Sequence, residues 1–397
     1  MLLKITLLFC SLLVQNCAKP QSKNTQNIPA QNNTIRTGAE NFERWGDLLQ
    51  NKRVGLVANQ TSIVRHEGQK THHLLDYMLS KNINVTTVFA PEHGFRGTAD
   101  AGEMIKDGKD TKTGLPIISL YGKNKKPTPT QLQGLDVVVF DLQDVGARFY
   151  TYISSLHYIM EACAENKIPV IVFDRPNPNG HITDGPVLQP EHSSFVGMHP
   201  VPVLHGLTIG EYALMINGEG WLANRIQCDL TVINCLNYKR DMPYELPVKP
   251  SPNLPNPQAI NLYASLCFFE GTNVSVGRGT SKQFQIYGSP FLTNQPFTFT
   301  PKPNEGAKDP MHNGVLCFGE DLSSTPPVSQ LELKWLLKAY QNTQDQSKFF
   351  NAFFTKLAGS TELQEQIIAG WSEEKIRQSW QPALERFKKI RKVYERY

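Results

Sequence analysis

An acid, an imidazole and a guanidinium fall within five residues of one another in the stretch Phe89–Gly97, FAPEHGFRG. Glu92, His93 and Arg96 follow directly on the apolar run NVTTVF and share their turn with Pro91 and two glycines. A carboxylic acid in a partly closed crevice has the raised pKa needed to deliver a proton to a leaving oxygen, which makes Glu92 the first candidate for general-acid chemistry. Other stretches carry a similar mixture. ANQTS supplies Asn59 and Thr61, DLQDVGARFYTY supplies Asp141, Asp144, Arg148, Tyr150 and Tyr152, DRPNPNG supplies Asp174 and Arg175, and GRGTS supplies Arg278 and Thr280. Plainer roles fit the same residues. One of Asp141 and Asp144 suits capping the helix that begins near Tyr150 or holding Arg148, His93 suits orienting a neighbour, and the two tyrosines suit a helix core.

Absent motifs narrow the chemistry. No G-x-G-x-x-G follows the first apolar run and no G-x-x-x-x-G-K-[ST] occurs, so the common dinucleotide and nucleotide cradles are missing. G-x-S-x-G and H-E-x-x-H are missing as well, which argues against serine hydrolase and zinc protease chemistry. What remains is a set of carboxylates, amides, aromatic rings and arginines. That mixture suits a sugar, whose hydroxyls seek acids and amides and whose faces seek rings. The charge balance, 40 basic against 36 acidic residues in 397, is scattered and too even for a nucleic-acid footprint. Past residue 17 the cysteines are Cys163, Cys228, Cys235, Cys267 and Cys317, an odd number with neither a disulfide framework nor zinc-ligand spacing. Buried thiols, no metal and no cofactor are expected.

These residues need a scaffold that brings them to one rim. RVGLVAN, NVTTVFAP, LDVVVFDL and IPVIVFD are short, β-branched and apolar on both faces, as in strands of a parallel sheet covered on both sides. THHLLDYMLSKN, TYISSLHYIMEACAENK and LTIGEYALMINGEG between and after them have helical spacing, and CDLTVINC reads as a further strand. The expected fold is α/β, a Rossmann-like doubly wound parallel sheet over residues 39–280, with a smaller α+β C-terminal domain over 281–397. In such sheets ligands bind beyond the carboxyl ends of the strands, where the polar stretches above fall. Five prolines between Leu246 and Pro257 forbid regular structure until a helix starts near Pro257.

The first residues have one lysine and an apolar run from Ile5 to Val14, the layout of a secretory signal over 1–17 that is too short to span a bilayer. Export to the periplasm or cell envelope follows. Cys17 stands where a lipoprotein carries its acylated cysteine, and the polar stretch 18–38 would serve as a tether, so membrane contact is expected only through that lipid. Asn16 departs from the small residue usual before such a cysteine, and cleavage near Ala18 is the alternative.

Taken in order, ANQTS, APEHGFRG, DLQDVGARFYTY, DRPNP, HGLTIGE, PSPNLP and EGTNVSVGRGT resemble a family typified by the exo-acting β-N-acetylmuramidase NamZ, glycoside hydrolase family 171. The resemblance runs from about Asn59 to Thr280 and more weakly to the C terminus. It implies a Rossmann-like catalytic domain, a C-terminal auxiliary domain, and release of N-acetylmuramic acid from non-reducing ends of peptidoglycan fragments. It also implies that the glutamate of PEHG, here Glu92, leads the catalytic candidates, with muramyl glycans as partners and no nucleic acid. Asp141 or Asp144 would be the second carboxylate or would orient the substrate's acetamido group, itself a possible nucleophile. Carboxylates about 5–5.5 Å apart indicate a retaining route and about 6.5–9.5 Å an inverting one. Asn59, His93, Arg96, Arg148, Tyr150, Arg278 and Thr280 are the expected substrate-binding set. Arg96, Arg148, Arg175 and Arg278 are the candidates for holding the ionised lactyl group, with Arg278 favoured and Arg148 next, because the glycines flanking Arg278 let the backbone approach a ligand. A lipid-anchored protein that binds wall fragments without cutting them is the other reading, since such folds host both roles.

Overall fold

The computed structural model describes residues 34–65, 71–92, 94–95 and 107–397. Its centre is a seven-stranded sheet made of β1 (Val54–Ala58), β2 (Val85–Ala90), β3 (Gly108–Lys109), β4 (Pro116–Ser119), β5 (Val137–Asp141), β6 (Val170–Phe173) and β7 (Leu230–Ile233). The spatial order is β7-β6-β5-β1-β2-β4-β3, parallel except for the β3 edge. The six parallel strands therefore lie in the order 3-2-1-4-5-6 of the doubly wound dinucleotide folds, although the phosphate-binding glycine fingerprint is absent. Every residue of β1 and β5 is buried. Successive side chains serve opposite faces: Val137 and Val139 join one apolar cluster, Val138 and Phe140 the other. Burial on both sides is why these strands read as unbroken apolar runs.

Helices α1 (Phe42–Leu49) and α2 (Leu74–Ser80) supply Trp45, Leu75 and Met78 to the smaller cluster. The larger cluster takes α3 (Tyr152–Glu165), α4 (Ile209–Gly218) and α5 (Pro257–Leu266). It continues into the C-terminal part, where Trp380, Leu384 and Phe387 line the inner face of α6 (Glu373–Arg391). That smaller part holds an antiparallel sheet of β8 (Ile286–Ser289), β9 (Phe297–Phe299) and β10 (Cys317–Asp321), with β10 in the middle. α5 starts where the proline-rich stretch ends, with Asn256 accepting from the Ala259 amide and Pro257 in the first turn, where its missing N–H is not needed. The five cysteines past residue 17 are buried free thiols.

Two expectations shift. The compact body begins at Ile35, inside the stretch expected as tether, because Arg36 pairs with Leu236 and the Gly38 amide donates to the Asp174 carbonyl. The antiparallel pair Asp184–Val187 and Pro202–Leu204 was not expected, since its proline-bearing strands are too short to show a period.

Candidate active site

The chain reverses its direction of winding between β1 and β5, and the crevice of such a sheet opens beyond their carboxyl ends. A hydrogen bond joins the two loops there, from Asn59 Nδ2 to the Tyr152 hydroxyl at 2.7 Å. Asn59 Oδ1 in turn accepts from the amide and hydroxyl of Thr61. In front of this pair lies a cavity of about 330 Å³. Glu92 enters it from the end of β2, Tyr150, Thr151 and Tyr152 from the β5 loop and the start of α3, and Glu270 and Arg278 from beyond α5. Eight of its fifteen described lining residues are aromatic, with polar groups set among them.

Glu92 is half-buried, and its Oε2 accepts from the Thr151 hydroxyl at 3.0 Å. Burial, then the Glu92 charge, raises the pKa of the Tyr152 hydroxyl, which stays protonated near neutrality. The Tyr150 ring meets the rings of Tyr152 and Tyr263 edge-on, and its hydroxyl donates to the Pro250 carbonyl at 2.8 Å, fixing the proline-rich loop as one wall. Opposite, Arg278 pairs with Glu270 through Nε at 2.8 Å and Nη2 at 2.5 Å and lies over the Phe284 ring.

Of the residues singled out from the sequence, the cavity thus brings together Glu92, Tyr150, Tyr152 and Arg278. Cys17, His93 and Arg96 lie outside the described residues. Asn59 is fully buried one layer back, spent on Tyr152 and Thr61. Asp141 is also fully buried, in a two-bond ion pair with Arg175 at 2.7 and 2.8 Å. Asp144 accepts from the Gly146 amide and faces His205 at 3.6 Å. Neither aspartate lines the cavity, neither caps α3, and neither holds Arg148. Arg148 is instead buried against four carbonyl oxygens, of Pro186, Val201, Leu357 and Ala358, each at 2.8 Å. Thr280 closes the Arg278 turn by donating to the Gly277 carbonyl.

The glycines beside Arg278 also act differently from the expectation. Gly277 and Gly279 have φ of +77° and +79°, and a Cβ on Gly279 would meet Pro310 at 2.6 Å. They allow a left-handed turn packed on protein rather than an open approach to a ligand. Sequence reasoning passed over Glu270, Thr151 and Tyr263, although Glu270 begins the motif EGTNVSVGRGT that contains Arg278. A second, larger groove of about 460 Å³ is lined by Tyr244, Leu246 and Ile260 among others. Its carboxylates, Asp241 and Glu245, are exposed.

Residues 54–258 match the family model for the N-terminal part of exo-β-N-acetylmuramidase NamZ, and residues 261–397 match the one for its C-terminal part. The chain is 38% identical to the peptidoglycan β-N-acetylmuramidase NamZ of Bacillus subtilis (strain 168), over 95% of this chain and 94% of that protein. It is also similar to the crystal structures of two DUF1343 family proteins from Bacteroides fragilis NCTC 9343. One has a TM-score of 0.83 and 42% identity, covering 92% of this chain and 99% of the other. The second has a TM-score of 0.74 and 29% identity, with 91% and 99% covered. With both halves of its length matched and the strand-end cavity present, the chain belongs to the exo-β-N-acetylmuramidase NamZ family.

Proposed function

We propose that this protein is an exo-acting β-N-acetylmuramidase that releases N-acetylmuramic acid from the non-reducing ends of peptidoglycan fragments, with Glu92 as general acid. The observation that carries the reading is the half-buried Glu92, held by Thr151 in an aromatic-lined cavity of a member of this family. A volume of about 330 Å³ is at the small end of ligand sites, roughly 300–1,000 Å³. That size suits one terminal sugar unit rather than a length of glycan, in keeping with exo action. Thr151 fixes the Glu92 carboxyl, the rings of Tyr150 and Tyr263 offer apolar faces for the pyranose, and Glu92 hands its proton to the glycosidic oxygen as oxocarbenium character grows. The purified protein is expected to release free N-acetylmuramic acid from a chromogenic β-muramide and from muramyl glycans. Binding without release would favour the non-catalytic reading.

Export and lipid anchoring belong to the same proposal, on the strength of the apolar run that ends shortly before Cys17. Cys17→Ser is expected to move the protein from the membrane fraction to the soluble one, and unchanged membrane association would reject the anchor.

A further inference from the structure

On the cavity wall, one oxygen of Glu270, Oε1, accepts from both Nε and Nη2 of Arg278. A guanidinium is a planar fork with five N–H donors, two of them on Nη1. The Glu270 grip is side-on and takes the Nε edge. The Nη1–Nη2 edge at the tip remains, and among the described residues nothing accepts from Nη1. The guanidinium carbon lies 5.3 Å from the centroid of the Phe284 ring, and the backbone on either side of Arg278 is held in the left-handed turn at Gly277 and Gly279. About a quarter of each partner's side-chain surface, 26%, is open to solvent, so the pair is reachable. Two parallel donors at the tip of a fixed guanidinium match the two oxygens of a carboxylate.

We propose that Glu270 is a positioning residue that holds Arg278 by its Nε edge and presents the Nη1–Nη2 edge to the cavity as a receptor for the carboxylate of a carboxylated sugar. On the muramidase reading above, on which this inference rests, that group is the lactyl carboxylate of N-acetylmuramic acid. Glu270 offsets the arginine's charge at long range, so selection comes from the short-range fit of paired donors. The pair thereby separates a muramide from a glucosaminide of the same ring.

The test compares an aryl β-muramide carrying the free lactyl acid with its lactyl amide, which has nearly the same size and no charge. Charge-assisted bidentate bonds should favour the acid roughly ten- to a hundredfold in kcat/KM for the wild-type protein. Arg278→Lys should bring that ratio to within about threefold of unity, mainly through KM, since a point charge lacks the fork. Glu270→Ala should cut the ratio about tenfold through KM with kcat little changed, and Glu270→Gln should restore most of it, because an amide oxygen still accepts from Nε. A wild-type ratio near unity would overturn the inference. So would an equal loss of kcat on both substrates in Glu270→Gln, which would put Glu270 in the chemical step. Calorimetric titration of the unmodified protein with free N-acetylmuramic acid and with its lactyl amide reads the receptor without any variant or turnover. Tighter binding of the acid by about tenfold supports it even if no muramide is cleaved, an outcome that would overturn only the muramidase reading. Equal affinity overturns the receptor whether or not cleavage occurs.

Discussion

Glu92 combines two conditions that a proton donor needs. It follows Pro91 at the end of a strand whose last three residues are buried, and its carboxyl is fixed by the Thr151 hydroxyl rather than swinging in solvent. On the proposed mechanism, Glu92→Gln keeps the shape and removes the proton donor. We expect the variant to bind substrate yet turn over at least about a hundredfold more slowly. The loss should be smaller on a nitrophenyl muramide than on an alkyl one, because a good leaving group needs less protonation. Near wild-type rates on both would make Glu92 structural. At this scale the place of Glu92 at the cavity was legible in sequence, because an acid just past a mostly apolar strand end falls where loops of such a sheet converge. Glu270 was not, because its bond to Arg278 spans eight residues and depends on how the short helical turn Cys267–Gly271 leads into the glycine turn.

Between elements, the carboxylate of Asp174 ties the end of β6 to the start of α4. It accepts from the Gly210 amide and the Thr208 hydroxyl, the latter being the cap of α4, and from the hydroxyl of Tyr397 at 2.7 Å. Burial, then the nearby Glu211 charge, pushes its pKa from 3.8 up to about 6 despite these donors. A carboxyl with its folded pKa above its unfolded one binds more protons when folded. Its contribution to stability therefore falls as pH rises from about 4 to about 6, and above that window the donors bear the cost of the buried charge. Tyr397→Phe removes one donor to the carboxylate and leaves the Cys235 amide without its acceptor. The expected loss is about 1–3 kcal/mol at pH 7.5 and clearly less at pH 4.5, read from urea unfolding at the two pH values. Equal losses would assign the hydroxyl's effect to Cys235 alone. The helix after Thr208 was readable from the helical spacing of LTIGEYALMINGEG, whereas its capping box, with Glu211 accepting from the Thr208 amide, and the arrival of Tyr397 beside Asp174 came with the structure.

Across the whole molecule, Arg148 joins parts of the chain that are more than two hundred residues apart. Its Nη1 serves the Pro186 and Val201 carbonyls, and its Nη2 serves Leu357 and Ala358, the last residues of the helix Phe354–Ala358, whose carbonyls have no partner within the helix. A cation suits that helix end. Burial lowers its pKa to about 9, so it still carries its charge at neutral pH. Arg148→Ala would strand these carbonyls in a dry interior. We expect a loss of about 3–5 kcal/mol, measured by urea unfolding, from the unsatisfied acceptors and the void. A loss under about 1 kcal/mol would mean that water replaces the side chain.

What the sequence determined by itself was local or periodic. Five of the sheet strands and the start of α5 were readable, β1, β2, β5 and β6 because burial in the sheet demands nearly unbroken apolar runs, and the helices α2 to α4 because their apolar residues recur at helical spacing. The rim of polar stretches followed, since strand ends in such a sheet converge. The choice among the polar side chains of that rim belonged to the tertiary structure. Asp141, Arg148 and Glu92 come from similar-looking motifs, yet Asp141 meets Arg175 in the interior, Arg148 meets four carbonyls, and Glu92 faces a cavity. The physical reason is that a charged side chain after a strand has a few ångströms of reach and takes the first partner that compensates for its desolvation. Which partner stands there depends on residues far along the chain, and no local pattern records it.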